Sequence, residues 1–255
     1  MRIIINRTSD GKITLQETSH IAIVTIKRPH AYNALTANMW KDLKQIACEI
    51  RERKKTRVVI LRGGPGQFTA GADIKEFTAM SHKEANEVFG LMEEAITAFE
   101  NLPMPVICAV DGPALGAGFV LALACDMRIG TENTKLGIPV GRLGITLGPS
   151  FVRRIIRMIG QSRTKELVYT NRLYDYKEAV QLGLLNKVVK QEDMETYMLD
   201  LAQRIAEQSP KSLQAVKQAA RLCEWKNDIP WMYADPVDFA EGCLAFAEKR
   251  SPQFT

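Results

Sequence analysis

A stretch rich in small residues, from Pro103 to Asp126, has the pattern of a backbone anion site. The apolar run from Val106 to Val110 is long enough for a buried strand, and the turn residues Asp111-Gly112-Pro113 end it. Small residues follow through Gly118, and the next apolar segment predicts a buried helix. A helix that starts after such a loop leaves backbone N–H groups unpaired, which suits an anion or a developing oxyanion. Close packing of the helix on the strand is the alternative explanation for the small residues.

A second stretch, from Gln67 to Phe77, repeats this arrangement. The loop Ala70-Gly71-Ala72 follows a strand end and leads into a helix that Asp73 is predicted to cap. Two such loops can each aim one backbone N–H at the same oxygen atom. That is an oxyanion hole for a thioester carbonyl becoming an enolate, and loss of one such donor typically costs about 3 kcal/mol. The two loops together therefore predict carbonyl chemistry supported by backbone groups.

Length and composition predict one large domain, or a domain with an appendage, and they limit the classes of partner it can have. The net charge of +5 on 255 residues suits phosphorylated small molecules but is too weak for a nucleic-acid footprint. The five cysteines show no CxxC spacing and most lie in apolar surroundings, so we expect buried free thiols in a reducing compartment. The three histidines lie far apart, so we expect no metal site. Because neither a leader pattern nor a membrane-length apolar run is found, we predict a cytoplasmic protein with no nucleic-acid or membrane partner.

Strand and helix patterns alternate up to about residue 191. This alternation predicts an α/β fold with a mostly parallel sheet over residues 1–191. The later part has helical patterns only, so residues 192–255 are predicted to form a cap or an association arm. The predicted strands cover residues 12–15, 21–26, 58–61, 106–110, 127–130 and 184–189, and burial is predicted for 58–61 and 106–110.

Capping residues and apolar stripes predict the helices between these strands. Thr36 is a predicted helix cap, and capping boxes are predicted for Ser81 with Glu84 and for Asp175 with Glu178. A helix predicted over 151–159 carries three arginines on its polar side: Arg153, Arg154 and Arg157.

Two other enzyme classes fit these patterns poorly. The pair Gly116 and Gly118 lacks the third glycine and the downstream acid of a dinucleotide-binding fingerprint. The run Gly148-Pro149-Ser150 precedes a helix but lacks the final glycine of a G-x-S-x-G nucleophile elbow. A dehydrogenase and a serine hydrolase are therefore disfavoured.

Motifs spread over nearly the whole chain resemble those of one family. They are IKRPHAYNAL near the N-terminus, FTAGADIKEF, AVDGPALGAGFVLALACD, the segment from Tyr174 to Val189, and EGCLAFAEKRSPQF at the end. Together they resemble the crotonase superfamily, the enoyl-CoA hydratase/isomerase family. The resemblance implies a spiral of ββα units with a C-terminal helical arm, and a homotrimer or dimer of trimers. It also implies an acyl-CoA substrate, with no cofactor beyond the coenzyme A that the substrate carries.

The resemblance also assigns roles to individual positions. The oxyanion N–H groups would belong to Ala72 and Ala117, and the backbone from Ala70 to Ile74 would hold the adenine and pantetheine. Arg28 and Lys249 would contact the CoA phosphates, Lys249 from a neighbouring subunit, although a solvated helix end is an equal explanation for Lys249. The remaining predicted contacts with the substrate are Ala31, Asp73, Lys75, Leu115 and Gly116.

The chain departs from the family pattern at the two glutamates that position and activate water in family hydratases. Val120 and Val140 stand at these positions of the acyl pocket. A later position that some isomerases use falls near Gly148, and Ala72 stands where related decarboxylases have a histidine. Since a valine cannot exchange a proton, general acid–base catalysis there, typically worth about 10²–10⁴-fold, is lost.

Structural roles are predicted for most of the other polar residues near these motifs, and for a few a role in ligand binding is a hypothesis. Helix capping or turn closure explains Asp73, Asp111 and Asp126, and Glu76 is predicted to face outward. The resemblance places the helix after Ser81 along the acyl pocket, so Glu87, Glu93 and Glu94 are candidates to replace the missing acids there. Exposure to solvent is the alternative, and it is the one we predict for them. Two residues beside Val140 are a hypothesis for binding a polar acyl group: Arg142 and Thr146.

Two functions remain open from the sequence. The first is an acyl-CoA enzyme of the enoyl-CoA hydratase/isomerase family that stabilises a thioester enolate, with the two valines arguing against hydratase activity. The second is an acyl-CoA-binding homologue with little or no catalysis.

Overall fold

The apolar runs of the sequence form the centre of two sheets. The computed structural model describes residues 4–7, 12–18, 20–222 and 236–254. The strands are β1 (Ile4–Arg7), β2 (Ile13–Glu17), β3 (Ile21–Ile26), β4 (Val58–Arg62), β5 (Val106–Val110), β6 (Pro113–Leu115), β7 (Met127–Gly130), β8 (Lys135–Gly137), β9 (Leu173–Asp175) and β10 (Lys187–Val188). The α-helices are α1 (Ala37–Glu52), α2 (Ile74–Phe77), α3 (His82–Glu100), α4 (Ala117–Leu123), α5 (Pro149–Thr170), α6 (Tyr176–Gln181), α7 (Met194–Ala206), α8 (Pro210–Leu222) and α9 (Pro236–Glu248).

The larger sheet has seven strands in the order β1-β2-β3-β4-β5-β7-β10. The pairs along β1-β2-β3 are antiparallel, and those from β3 to β10 are parallel. Every residue of β5 is buried, because helices cover both faces of a parallel sheet. A second sheet, in the order β6-β8-β9, lies beyond the carboxyl end of β5. The α/β architecture with a mostly parallel sheet is therefore confirmed.

Helices from different parts of the chain cover the two faces of the larger sheet. One face packs against α1, α3 and α4, with Trp40, Phe99 and Phe119 fully buried in that core. The other face packs against α7, whose Met194 and Met198 contact apolar side chains of β3, β4 and β5. Within the described ranges, no helix is both long enough and apolar enough to cross a membrane.

The predicted helix caps are confirmed. The Thr36 hydroxyl accepts a hydrogen bond from the Met39 amide at the start of α1 (3.3 Å). Ser81 and Glu84 satisfy each other's backbone amides at the start of α3, and Asp175 and Glu178 do the same at α6. Each cap pairs an N–H group that the first helical turn leaves without a partner.

Three predictions about the elements were wrong or fall outside the described residues. Arg154 does not lie on a polar face, because its side chain is only 4% exposed and pairs with acids of α3. The predicted strand 184–189 is reduced to β10, since the amides of Leu184 and Leu185 bond to the carbonyl of Ala179 in a helix-ending turn. The predicted burial of the free thiols is wrong for Cys48 and Cys243, which are exposed, and is confirmed for Cys108 and Cys125; Cys223 lies outside the described residues.

Candidate active site

The two small-residue loops of the sequence lie side by side. The Thr69 amide donates to the Pro113 carbonyl, and the Leu115 amide donates to the Thr69 carbonyl, each at 3.1 Å. Gly71 has φ +89°, and a Cβ atom on it would lie 2.4 Å from the Leu115 carbonyl oxygen and 3.1 Å from the Ala117 amide nitrogen. The contact between the loops therefore requires glycine at position 71.

A segment before α1 holds the first loop in place. The Asn33 side-chain amide donates to the carbonyls of Gln67 (3.0 Å) and Phe68 (3.1 Å), and the Thr69 hydroxyl donates to the Asn33 carbonyl (2.6 Å). The Leu35 amide donates to the Gly71 carbonyl at 2.7 Å. Asn33 has φ 54°, a left-handed conformation that asparagine tolerates better than most residues. The sequence shows Asn33 within a family motif, but its role in holding the loop was not predicted.

Two backbone amides of the loops are left without acceptors. The N–H groups of Ala72 and Ala117 donate no hydrogen bond within the described part of the chain. Their neighbours are used, because the Asp73 amide donates to Leu35 (3.0 Å) and the Gly116 amide donates to Gly137 (2.9 Å). Ala72 and Ala117 also line the same cavity. The arrangement can therefore donate two hydrogen bonds to one oxygen of a ligand in that cavity.

The cavity has a volume of about 530 Å³ and mostly apolar walls. This volume lies in the range of pockets for small molecules. We call the part of the cavity formed by the two loops its floor and the part formed by α3 the α3 wall; the remaining lining residues come from the segment 138–151. The apolar side chains that line it are Ile74, Phe89, Met92, Leu115, Ile138, Pro139, Val140, Leu143, Ile145, Leu147, Pro149 and Phe151.

The two valines at the family's glutamate positions have different surroundings. Val140 lines the cavity and is 8% exposed. Val120 is fully buried within α4 and is not among the described residues that line the cavity. Thr146 and Gly148 line the cavity, whereas the Arg142 side chain lies outside what the structure describes.

Four of the nine predicted substrate contacts line the cavity and the other five do not. Arg28 and Asp73, however, form an ion pair with each other. Lys75 and Lys249 are exposed, Lys249 just after α9, and Ala31 is partly exposed before α1. The predicted contacts that line the cavity are Ala70, Ile74, Leu115 and Gly116.

The Arg28–Asp73 ion pair fixes the start of α2. Arg28 Nη1 donates to Asp73 Oδ2 (2.6 Å) and to the Ala34 carbonyl (3.0 Å). Asp73 is 9% exposed and caps α2, as predicted, by accepting from the Lys75 amide (3.1 Å). Burial acts to raise the pKa of Asp73, but the hydrogen bond and charge of Arg28 and the amides of Lys75 and Glu76 outweigh it, so the pKa is lowered. Both residues therefore support the loop that carries Ala72.

The structural explanations for several acids agree with the contacts. Asp111 accepts from the Gly66 amide (2.6 Å) and the Thr131 hydroxyl (2.8 Å). Asp126 accepts from the Val106 amide (2.7 Å) and pairs with Lys217. Glu76 does not simply face outward, because it accepts from the Ala37 amide (2.8 Å) at the start of α1.

Glu93 differs from the predicted solvent-facing glutamates of α3. Glu87 and Glu94 are exposed as predicted, but Glu93 lines the cavity and pairs with the buried Arg154. The signal in the sequence is weak: Glu93 follows Met92 and lies four residues after Phe89, at the edge of the apolar stripe of α3. Only the packing of α3 shows that this edge faces the cavity.

Comparisons with known proteins identify the family of this chain. A model of the Enoyl-CoA hydratase/isomerase family matches residues 16–255. The mitochondrial methylglutaconyl-CoA hydratase of Homo sapiens is 36% identical over 253 residues, which cover 94% of this chain and 75% of that protein. The crotonyl-CoA hydratase of Syntrophomonas wolfei is 33% identical over 252 residues, covering 95% of this chain and 97% of that protein.

A solved structure shows the same fold. The crystal structure of an enoyl-CoA hydratase/carnithine racemase from Magnetospirillum magneticum matches with a TM-score of 0.92 and 30% identity, covering 98% of this chain and 97% of that one. The family match and these relatives span nearly all of the chain. The protein is therefore an enzyme of the enoyl-CoA hydratase/isomerase family, within the crotonase superfamily.

Proposed function

We propose that this protein binds an acyl-CoA with the thioester oxygen between the amides of Ala72 and Ala117, and stabilises the enolate that forms there. The observation that carries this proposal is the pair of amides without acceptors at the floor of one cavity. Because the enolate oxygen bears more charge than the thioester carbonyl, both hydrogen bonds strengthen as the enolate forms. The substrate then needs no cofactor beyond its own coenzyme A.

The acyl chain lies along the apolar walls of the cavity in this proposal. Contacts with side chains such as Phe89, Met92 and Val140 bury an uncharged chain without leaving a polar group unpaired. The pantetheine and adenine lie along Ala70 to Ile74, and Ile74 is 40% exposed at this edge. Phosphate contacts from Arg28 and from Lys249, the latter in a homotrimer or a dimer of trimers, stay predictions, and so does the contact of Lys75 with the substrate.

Ordinary hydratase activity is not part of the proposal. Hydration needs a water molecule held by acid–base groups over the double bond, and Val120 and Val140 offer none. Cytoplasmic localisation also stays a prediction, and relatives include mitochondrial proteins.

The alternative function is a homologue that binds acyl-CoA with little or no catalysis. The same two valines favour it, since a backbone hole without a proton-transfer group binds a thioester but cannot convert it. In this alternative the loops and the cavity bind the acyl-CoA in the same way, but no reaction of the thioester follows.

Turnover of any acyl-CoA that is abolished by a bulky residue in the Ala117 loop would separate the two functions. The first experiment tests what they share, an acyl-CoA site without ordinary hydratase activity. Hydration of crotonyl-CoA by the purified protein is followed at the enoyl-thioester absorbance, together with direct binding of the same ligand. We expect binding with hydration far below that of ordinary hydratases. Hydration at the usual hydratase rate would contradict the interpretation of the two valines, and no binding of any acyl-CoA tested would contradict both functions.

A further inference from the structure

Glu93 is the only ionisable side chain among the described residues that line the cavity. The other polar side chains there are neutral: Asn86, Thr146 and Ser150. Glu93 lies on the α3 wall, while Ala72 and Ala117 lie on the floor of the same cavity. A carboxylate and the two unpaired amides therefore share one space of about 530 Å³.

Neighbouring groups hold the Glu93 carboxylate in position. Arg154 Nη1 lies 3.0 Å from both Glu93 oxygens, and the Thr97 hydroxyl donates to Oε1 at 2.9 Å. Arg154 also donates to Glu100, at 2.6 Å from Nη2. Burial acts to lower the pKa of Arg154, but the hydrogen bonds to Glu93 and Glu100 outweigh this and raise it, so the guanidinium stays charged.

These contacts leave the carboxylate able to accept a further proton or hydrogen bond. Two oxygens offer about four lone-pair sites, and the arginine and threonine donors do not occupy all of them. The Glu93 side chain is 29% exposed and lines the cavity, whereas Glu100, the other partner of Arg154, is not among the described lining residues. A purely structural partner of Arg154 would not need to reach the cavity.

We propose that Glu93 is the acid–base residue of this site, in place of the acids absent at positions 120 and 140. The proposal rests on the proposed function. The Glu93 carboxylate removes a proton from the carbon next to the thioester, and the electron pair of that C–H bond moves into the enolate. The amides of Ala72 and Ala117 bind the enolate oxygen. Glu93 then returns one proton to the chain, either the one it removed or one that its carboxyl group has exchanged with water, so no co-reactant is consumed.

The proposal predicts which acyl-CoA reacts. In a β,γ-unsaturated acyl-CoA the enolate is conjugated with the double bond, so the proton can return at the γ carbon and give the α,β-unsaturated isomer. A single carboxylate suffices for this proton shift, because the same group removes and returns the proton. Apolar walls suit it as well, since no water molecule has to be held over the chain.

The test compares Glu93→Gln with Glu100→Gln. Glutamine keeps the shape of glutamate and can still accept from Arg154, so both variants change the same Arg154 network, but only one changes a cavity-lining carboxylate. The readouts are the isomerisation of a β,γ-enoyl-CoA, its binding and the melting temperature. We expect Glu93→Gln to bind normally and to lose about 10²–10⁴-fold in rate, and Glu100→Gln to keep most of the rate.

The outcomes separate this inference from the proposed function. If Glu93→Gln keeps the wild-type rate, Glu93 is not the acid–base residue, but the enolate site stands. The same conclusion follows if both variants lose the rate equally. No turnover by the wild type, despite binding, contradicts the proposed function itself. If Glu93→Gln does not fold, Glu93→Asp takes its place, because it keeps the charge but withdraws the carboxylate; an undiminished rate in that variant also overturns the proposal.

Discussion

The floor and the walls of the cavity obtain their chemistry in different ways. At the floor, the working groups are the backbone amides of Ala72 and Ala117, and the side chains there are small. At the α3 wall, the only charged group described is the carboxylate of Glu93, held by Arg154 from α5. Each loop of the floor is a local turn between a strand and a helix, whereas the charged group of the α3 wall is placed by packing between distant helices.

This difference determines what each part tolerates. Among point substitutions only proline removes a backbone donor, but the donor's position is lost if the two loops separate. A side-chain acid can be replaced by valine, as at positions 120 and 140, and an acid from another helix can reach the same cavity. We infer that the floor is the constant part of the site and that the walls set its reaction.

Gly71→Ala is the substitution with the largest expected effect on the floor. A Cβ atom there would lie 2.4 Å from the Leu115 carbonyl oxygen at a φ of +89°, so the loops must separate. Misplacing the amides is expected to lower the rate on a β,γ-enoyl-CoA by about 10²–10³-fold. Gly64→Ala is the control, because nothing lies within 4 Å of the added methyl group. Equal activity of the two variants would show that the floor does not support the chemistry.

Glutamate substitutions at the two valines are expected to differ in their effect on stability. Val120 is fully buried, so Val120→Glu leaves an uncompensated charge in the core and should lower the free energy of unfolding by about 3 to 5 kcal/mol. Val140→Glu should cost clearly less, because this side chain lines the cavity. Urea unfolding of both variants measures the difference. An equal loss of unfolding free energy in both variants would mean that a carboxylate at position 140 is as shielded from water as one at position 120.

Arg28→Met distinguishes support of the floor from contact with CoA. It leaves the Asp73 carboxylate without its partner, which is expected to cost about 1 to 3 kcal/mol of stability. If Arg28 acts only through the loop, affinity should fall equally for an acyl-CoA and for the corresponding acyl-pantetheine, which lacks the nucleotide and its phosphates. A loss confined to the acyl-CoA would instead support the predicted phosphate contact. Calorimetric binding of both ligands provides the comparison.

The smallest expected effect is the pH dependence that Asp73 adds to folding. Its pKa is lowered from the ordinary 3.8 in the folded protein, so the unfolded chain binds the proton more readily. The stabilisation is therefore fully present above pH 3.8 and is lost as the pH falls through the lower folded value. The difference in unfolding free energy between wild type and Asp73→Asn should shrink over that range. A constant difference would mean that the ion pair does not act through the charge of Asp73.

The sequence predicts the floor well because its signals are local. Small residues between a strand and a helix, and the cap at Asp73, lie within a few residues of each other. The same holds for Thr36 and for the capping boxes, which were confirmed.

The α3 wall could not be predicted in the same way. Glu93 and Arg154 are 61 residues apart, and both resemble solvent-facing residues of amphipathic helices. Only the packing of α3 and α5 buries the arginine and turns the glutamate toward the cavity. The support of the first loop by Asn33 also depends on contacts between residues more than thirty positions apart.

The most direct test of the account is hydrogen exchange at the carbon next to the thioester. A β,γ-enoyl-CoA is incubated with the wild-type protein in deuterated water, and deuterium at that carbon is followed by mass spectrometry, with Gly71→Ala and buffer alone as references. We predict that the wild-type protein exchanges this hydrogen faster than buffer and faster than Gly71→Ala, whether or not hydration occurs. Tight binding with exchange no faster than in buffer would contradict it and would leave a protein that binds acyl-CoA without activating it.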